Sequence, residues 1–390
     1  MAGAPSATMA PTGAGGPQAP TAAAQATPAA QSVVPFLRGS GKGKYKFYSK
    51  SGLTFTTATQ DLGPIDVKAY DYMRSILVTL TTTANGGSNG TIQADGPFNS
   101  FTNVSVLQPN GQTMYQVSSG HSAAMIQKYG AYRQNSDPRG DPAYVANSSV
   151  VTFAFRIPFE LDLRDALGAL PNKDAAAPFQ LNLTLNTLSN VLGSNGTTPT
   201  FTVEAWLEAY DQPPTILNGQ PVQTTPPNMN TLQRWTEQNI SITTGQFDAR
   251  IRKLGNYVRA FVPIALASNA RTDTGWPDPL QIVLDEDTKD NISLADFKRR
   301  IWETWGYGAI ASGTTQQTAV NLIDGTGGRD TGVFPIQYFC DGQQLGLENA
   351  NLYLPTIESE DYLLRGSWGG SIDKLRTLVC EVLPQGNIFG

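Results

Sequence analysis

The sequence predicts a mainly β protein whose second half repeats the plan of its first: two tandem sandwich or barrel domains, each with one short helix. Three observations carry this. Apolar and polar residues alternate over many short stretches, clusters of Gly, Asn and Pro separate those stretches, and a strand–turn–helix unit recurs about 176 residues later.

The alternation is clearest in the first half. Val151, Phe153, Phe155, Ile157 and Phe159 interleave with Thr152, Ala154, Arg156 and Pro158. Phe179, Leu181, Leu183 and Leu185 interleave with Gln180, Asn182, Thr184 and Asn186, and residues 201–210 alternate again. Period-two patterning with one apolar face describes half-buried strands of an antiparallel sheet. Turn clusters lie at 85–90, 109–111 and 193–196. This spacing suits sandwiches or barrels and not alternating βαβ units.

The repeat is one of order and spacing. Strand residues 104–107 lead through a polar turn into a helix over 118–130. Strand residues 281–284 lead into a helix over 293–306. Ser293 with Asp296 resembles a capping box, and Gly306 is a suitable helix stop. Downstream, residues 156–162 correspond to 334–341, and 202–207 to 378–383. The tandem prolines Pro213-Pro214 and Pro226-Pro227 resist both helix and central strand. The expected divisions are a flexible N-terminal arm over 1–37, a first domain over 38–213, a Pro-rich linker over 214–230 and a second domain over 231–390.

Composition narrows the function. Among 390 residues only 15% are charged, while 40% are hydrophobic, and Gly (38) and Pro (26) are abundant. A low charge density suits a surface largely covered by neighbours. The net charge of −5 disfavours broad nucleic-acid wrapping. No apolar run reaches the roughly 18 residues of a membrane span, and the N-terminus lacks the basic and apolar regions of a secretory signal. Intracellular synthesis is the expectation. Cys340 and Cys380, both in apolar segments, read as buried thiols.

The arm contains no charged residue before Arg38 and too little apolar area to offset its ordering entropy. It is followed by five basic residues, Arg38, Lys42, Lys44, Lys46 and Lys50, before the first acid, Asp61. Their interleaving with Gly, Tyr and Phe suits contact with phosphates or anionic lipid head groups, facing a membrane or an interior. A solvated linker is the equal alternative.

Catalytic chemistry finds little support. The chain has one histidine, His121, which any Ser-His-Asp triad or His-based metal site would have to use. No motif surrounds it. The acidic stretch 285–291 lacks the Gly and the closing Glu of a calcium loop and reads as a solvated turn before a helix. The glycines at 39–44 lack phosphate-loop spacing. Glu160 with Asp162, and Glu358 with Glu360, are carboxylate pairs at i, i+2, which a polar strand edge also shows. Sequons at Asn103, Asn182 and Asn239 carry little weight in an Asn- and Thr-rich chain. No catalytic residue, cofactor or metal is expected, and the chain does not read as an enzyme.

The plan of residues 40–390 resembles the double jelly-roll major capsid proteins of tailless, internal-membrane icosahedral phages (tectivirus-like). The local likeness lies in Gly332-Val-Phe-Pro-Ile-Gln-Tyr-Phe-Cys-Asp341 and the strands through Asn351-Leu-Tyr-Leu354, with the helices ending at Tyr129-Gly130 and Trp305-Gly306. The resemblance implies two jelly rolls and a homotrimer whose six rolls form a pseudo-hexagonal capsomer. It also implies neighbouring capsomers, penton and minor capsid proteins as partners, and internal-membrane lipids near the N-terminus. The implied location is the virion, after assembly in the host cytoplasm, without sequence-specific nucleic acid. The long uncharged arm departs from an ordinary member. A carbohydrate-binding β-sandwich or receptor-binding spike is the alternative, with Trp276 or Trp368 stacking sugars. A β-rich hydrolase is a second.

Overall fold

The computed structural model describes residues 32–384 apart from 35, 83–90, 94, 133–151, 163–165, 195–199, 218–219, 225–230, 253–255, 306–329, 340–351, 358 and 360. The first roll contains β1 (Lys42–Thr54), β2 (Gln60–Asp66), β3 (Tyr72–Thr82), β4 (Phe101–Leu107) and β5 (Thr113–Val117). Helix α1 (Gly120–Tyr129) follows, then β6 (Thr152–Pro158), β7 (Gln180–Leu185) and β8 (Thr200–Tyr210). One sheet has the order β1-β8-β3-β6 and the other β2-β7-β4-β5.

The second roll repeats this wiring. It contains β9 (Thr231–Ser241), β10 (Gly245–Ile251), β11 (Tyr257–Ala267), β12 (Leu280–Leu284) and β13 (Asp287–Ile292). Helix α2 (Leu294–Trp305) leads to the short β14 (Ile336–Gln337) and β15 (Leu354–Pro355), then β16 (Tyr362–Trp368) and β17 (Lys374–Pro384). Here the orders are β9-β17-β11, with β14 and β15 on β11, and β10-β16-β12-β13. In both rolls the first strand pairs with the last, the last with the third, and the second with the next to last. Two facing sheets wired in this way are the jelly-roll plan.

The expected correspondences are strand correspondences. Val203 and Val379 lie in the last strands, β8 and β17, and Leu107 and Leu284 end the fourth strands. Residues 156–158 and 336–337 both pair with their roll's third strand. Alternation explains why. In β8, Phe201, Val203, Ala205, Leu207 and Ala209 are at most 1% exposed, while Thr202, Glu204, Trp206 and Glu208 face outward. Each fully buried large apolar side chain contributes roughly 1.5–3 kcal/mol.

The two helices differ in how they are covered. Every residue of α1 is buried, Gln127 and Lys128 included, because α1 packs on β6 of its own roll and on β11 of the next. Ser119 caps it by accepting from the Ser122 N–H at 3.0 Å. Gly120 is needed at its start, since a Cβ there would lie 2.3 Å from the Phe98 carbonyl oxygen. Helix α2 is amphipathic: Phe297, Ile301 and Trp305 face the core at helical spacing. The expected cap is present, with Ser293 Oγ accepting from the Asp296 N–H at 3.2 Å. Gly306 and Cys340 lie outside the described residues, and Cys380 is buried.

Among the described residues a single ladder joins the rolls. Strand β5 pairs in parallel with β9, Tyr115 opposite Trp235 and Gln116 opposite Thr236. A ten-stranded sheet therefore runs from β2 in the first roll to β11 and its neighbours in the second. Within the expected linker, Ile216–Leu217 forms a hairpin with Gln220–Thr224, and Ser32–Val34 adds to it in parallel. Phe36, N-terminal to the expected domain start, is 3% exposed and meets the Tyr72 and Tyr210 rings edge-on at 5.1 and 5.5 Å.

The acidic stretch 285–291 differs from expectation. Only Asp285 and Glu286 make the turn; the residues after them form β13, paired with β12. An edge strand with one exposed ladder needs no apolar alternation, so its Asp-Thr-Lys-Asp-Asn sequence hides it.

Candidate interaction surfaces

The basic segment is a strand and not a solvated linker. It forms β1, the edge of its sheet, and pairs with β8 along its whole length. Residues two apart share a face, so Lys42, Lys44 and Lys46 line up opposite the buried Tyr210 and the outward Glu208 and Trp206. Lys44 and Lys46 place their ammonium groups 5.4 and 5.3 Å from the Trp206 ring centre, and Lys42 lies 5.7 Å from that of Tyr210. Lys46 also pairs with Glu204 at 3.1 Å. Glu208 is occupied elsewhere: Arg156 grips it with two hydrogen bonds, at 2.8 and 3.0 Å. Burial alone would raise the Glu208 carboxyl, but Arg156 holds it below the usual range.

A register shift between Ala205 and Trp206 breaks the row. Beyond it Lys50 falls opposite the core residue Val203, off the face of the other three. Arg38 lies apart, in the helical turn Phe36–Gly39. The structure thus brings together Lys42, Lys44 and Lys46 and separates Arg38 and Lys50.

The second surface lies between the rolls and is rich in buried charge. Lys128 of α1 and Asp330, just before β14, meet at 2.8 Å, and the Tyr129 hydroxyl donates to the same carboxylate at 2.8 Å. Asp95 and Arg271, one from each roll and 176 residues apart, pair at 2.6 Å. Arg259, 1% exposed, donates to the Gly130 carbonyl at 3.0 Å and covers the Phe339 ring at 4.0 Å. The Tyr129 and Trp305 rings meet edge-on at 5.6 Å, which brings the ends of α1 and α2 together. His121 is buried here, with Asp95 at 3.7 Å.

Sequence reasoning missed this junction. Isolated charges carry no sign of burial, and the one available signal was that Asp95 and Arg271 stand one repeat apart.

The residues proposed for rival functions are placed otherwise. Trp276 and Trp368 are 4% and 1% exposed and pack on each other, so neither offers a face to a sugar. Glu160 is buried against Arg74 at 2.8 Å and accepts from the Tyr210 hydroxyl; burial raises its carboxyl. Asp162 is buried as well, and Glu358 and Glu360 lie outside the described residues. Among the described residues no group of three or more His, Cys, Asp or Glu side chains could hold a metal, and no helix is long and apolar enough to cross a membrane.

No family model and no curated protein matches the sequence. Solved structures do match the fold. The major capsid protein of STIV (Sulfolobus turreted icosahedral virus) aligns with a TM-score of 0.56 and 12% identity, covering 88% of this chain and 97% of that one. PBCV-1 VP54 aligns at 0.54 and 13%, covering 88% and 93%. The major capsid protein P2 of bacteriophage PM2 aligns at 0.51 and 9%, covering 90% and 100%. At such identities the likeness is one of fold, and it agrees with the strand wiring: this chain has the double jelly-roll fold found in viral major capsid proteins.

Proposed function

We propose that the chain is the major capsid protein of an icosahedral virus and assembles as homotrimers that tile the shell. The observation that carries this is two identically wired rolls fused through β5 and β9 into one sheet. Three such chains present six similar modules, so a threefold object can fill a sixfold position. The buried junction between the rolls fixes their mutual orientation, which a tile requires. Neighbouring capsomers, penton and minor capsid proteins are the partners of such a trimer, and the role is structural and not catalytic. Size-exclusion chromatography with light scattering tests the reading. A particle of three times the chain mass is expected, and a stable monomer at all concentrations would overturn it.

The lysine row on β1 is the part of the tile suited to anionic lipid, at an internal membrane beneath the shell. Three exposed cations in a line can each contribute about 1 kcal/mol near an anionic surface. Replacing Lys42, Lys44 and Lys46 by glutamine is expected to weaken binding to anionic vesicles by about that amount per lysine. The trimer mass should stay the same. Unchanged vesicle binding would remove this role without touching the capsid reading.

A further inference from the structure

The junction between the rolls contains one group that its ion pairs leave out. His121 is buried on α1, and neither ring nitrogen has a hydrogen-bond partner among the described residues. The charged groups around it come from four other elements. Asp95 lies in the segment before β4, Arg271 just after β11, Asp330 before β14 and Arg376 on β17. These groups are already matched. Asp95 is taken by Arg271 at 2.6 Å, Asp330 by Lys128 at 2.8 Å, and Arg376 lies 3.5 Å from Glu237 of β9. These three pairs are complete while His121 is neutral.

We propose that His121 is an acid-sensitive latch between the two jelly rolls: its protonation places an uncompensated cation in the junction and loosens α1 from the second roll. The nearest carboxylate, Asp95, is engaged by Arg271, so a histidinium would compete for it and not gain a partner of its own. A histidinium turned toward Asp330 would face the same competition from Lys128. A junction built in this way is tightest at neutral pH and loosens progressively as pH falls toward 4, independently of how many copies assemble.

The direction follows from where the ring titrates. Burial holds the His121 pKa down to about 4, against the ordinary value near 6.5, with Asp95 opposing and Arg271 adding to the shift. The open junction therefore takes up a proton that the closed one refuses. The stability this contributes is complete above about pH 6.5 and is lost as pH falls toward 4. Burial works to raise both Asp95 and Asp330, but His121 and Arg271 lower the first and Lys128 and Arg271 the second, so both add their own losses only below the ordinary carboxylate range and the window from 7 to 5 belongs to His121.

Because His121 is the only histidine, its signal is unambiguous. NMR of the full chain carrying 13Cε1-labelled histidine should show a ring that stays neutral down to about pH 4. A ring titrating near 6.5 would overturn the proposal. Hydrogen exchange across α1, corrected for intrinsic rates, gives the second readout. The opening constant is expected to rise by about 20-fold from pH 7 to pH 5 in the wild type. In His121→Met it should change less than about twofold. An equal rise in both proteins would sink the idea, and should the variant not fold, the wild-type titration decides alone.

Discussion

Replacing Asp330 by alanine is expected to cost the protein about 3–5 kcal/mol in chemical denaturation. The loss comes from what stays behind. Lys128 is 2% exposed, and removing Asp330 takes away the carboxylate that pairs with its buried ammonium at 2.8 Å. The Tyr129 hydroxyl loses its acceptor at the same time. Burial alone would raise the Asp330 carboxyl, yet Lys128 and Arg271 hold it far below the usual range. Its contribution is thus present above the ordinary carboxylate pKa and lost in strong acid. Converting both partners, as Lys128→Met with Asp330→Leu, should recover most of the loss, since a well-packed apolar pair replaces a buried ionic one at little cost. A single Asp330→Ala variant as stable as the wild type would show that the junction does not depend on this pair.

Trp276→Ala is expected to cost a similar amount, about 3–5 kcal/mol, for a different reason. Trp276 stacks on Phe334 with ring centres 3.7 Å apart and planes 13° apart, and it meets Trp368 at 5.3 Å. Truncation opens a cavity between the sheets of the second roll that its rigid neighbours cannot close. The measurement is the denaturation midpoint. A near-neutral result would place Trp276 at a surface and reopen the sugar-binding reading, which needs that ring exposed.

Much of this fold was legible in the sequence, for physical reasons. Residues 152–158, 180–185 and 201–210 form half-buried strands whose inner face must be apolar, and period two records that directly. The repeat was legible because each roll needs the same strands and the same helix in the same order. What was hidden falls into two kinds. Edge strands such as β13 and β1 satisfy one ladder only and expose the other, so charge and glycine are tolerated. In β1 the lysines then looked like a linker, although Tyr45 and Phe47 pack against the core. The ionic junction was hidden because pairs such as Lys128 with Asp330 lie about 200 residues apart. Of the five basic residues singled out, three share a face, and the bulge that excludes Lys50 has no sequence mark.

If the two rolls are the repeating units of a shell tile, negative-stain imaging of the purified full-length chain at assembly concentrations will resolve them. Class averages should show threefold particles with a hexagonal outline, each built of six similar lobes. Monodisperse two-lobed monomers, with no threefold particle or lattice at any concentration, would contradict it.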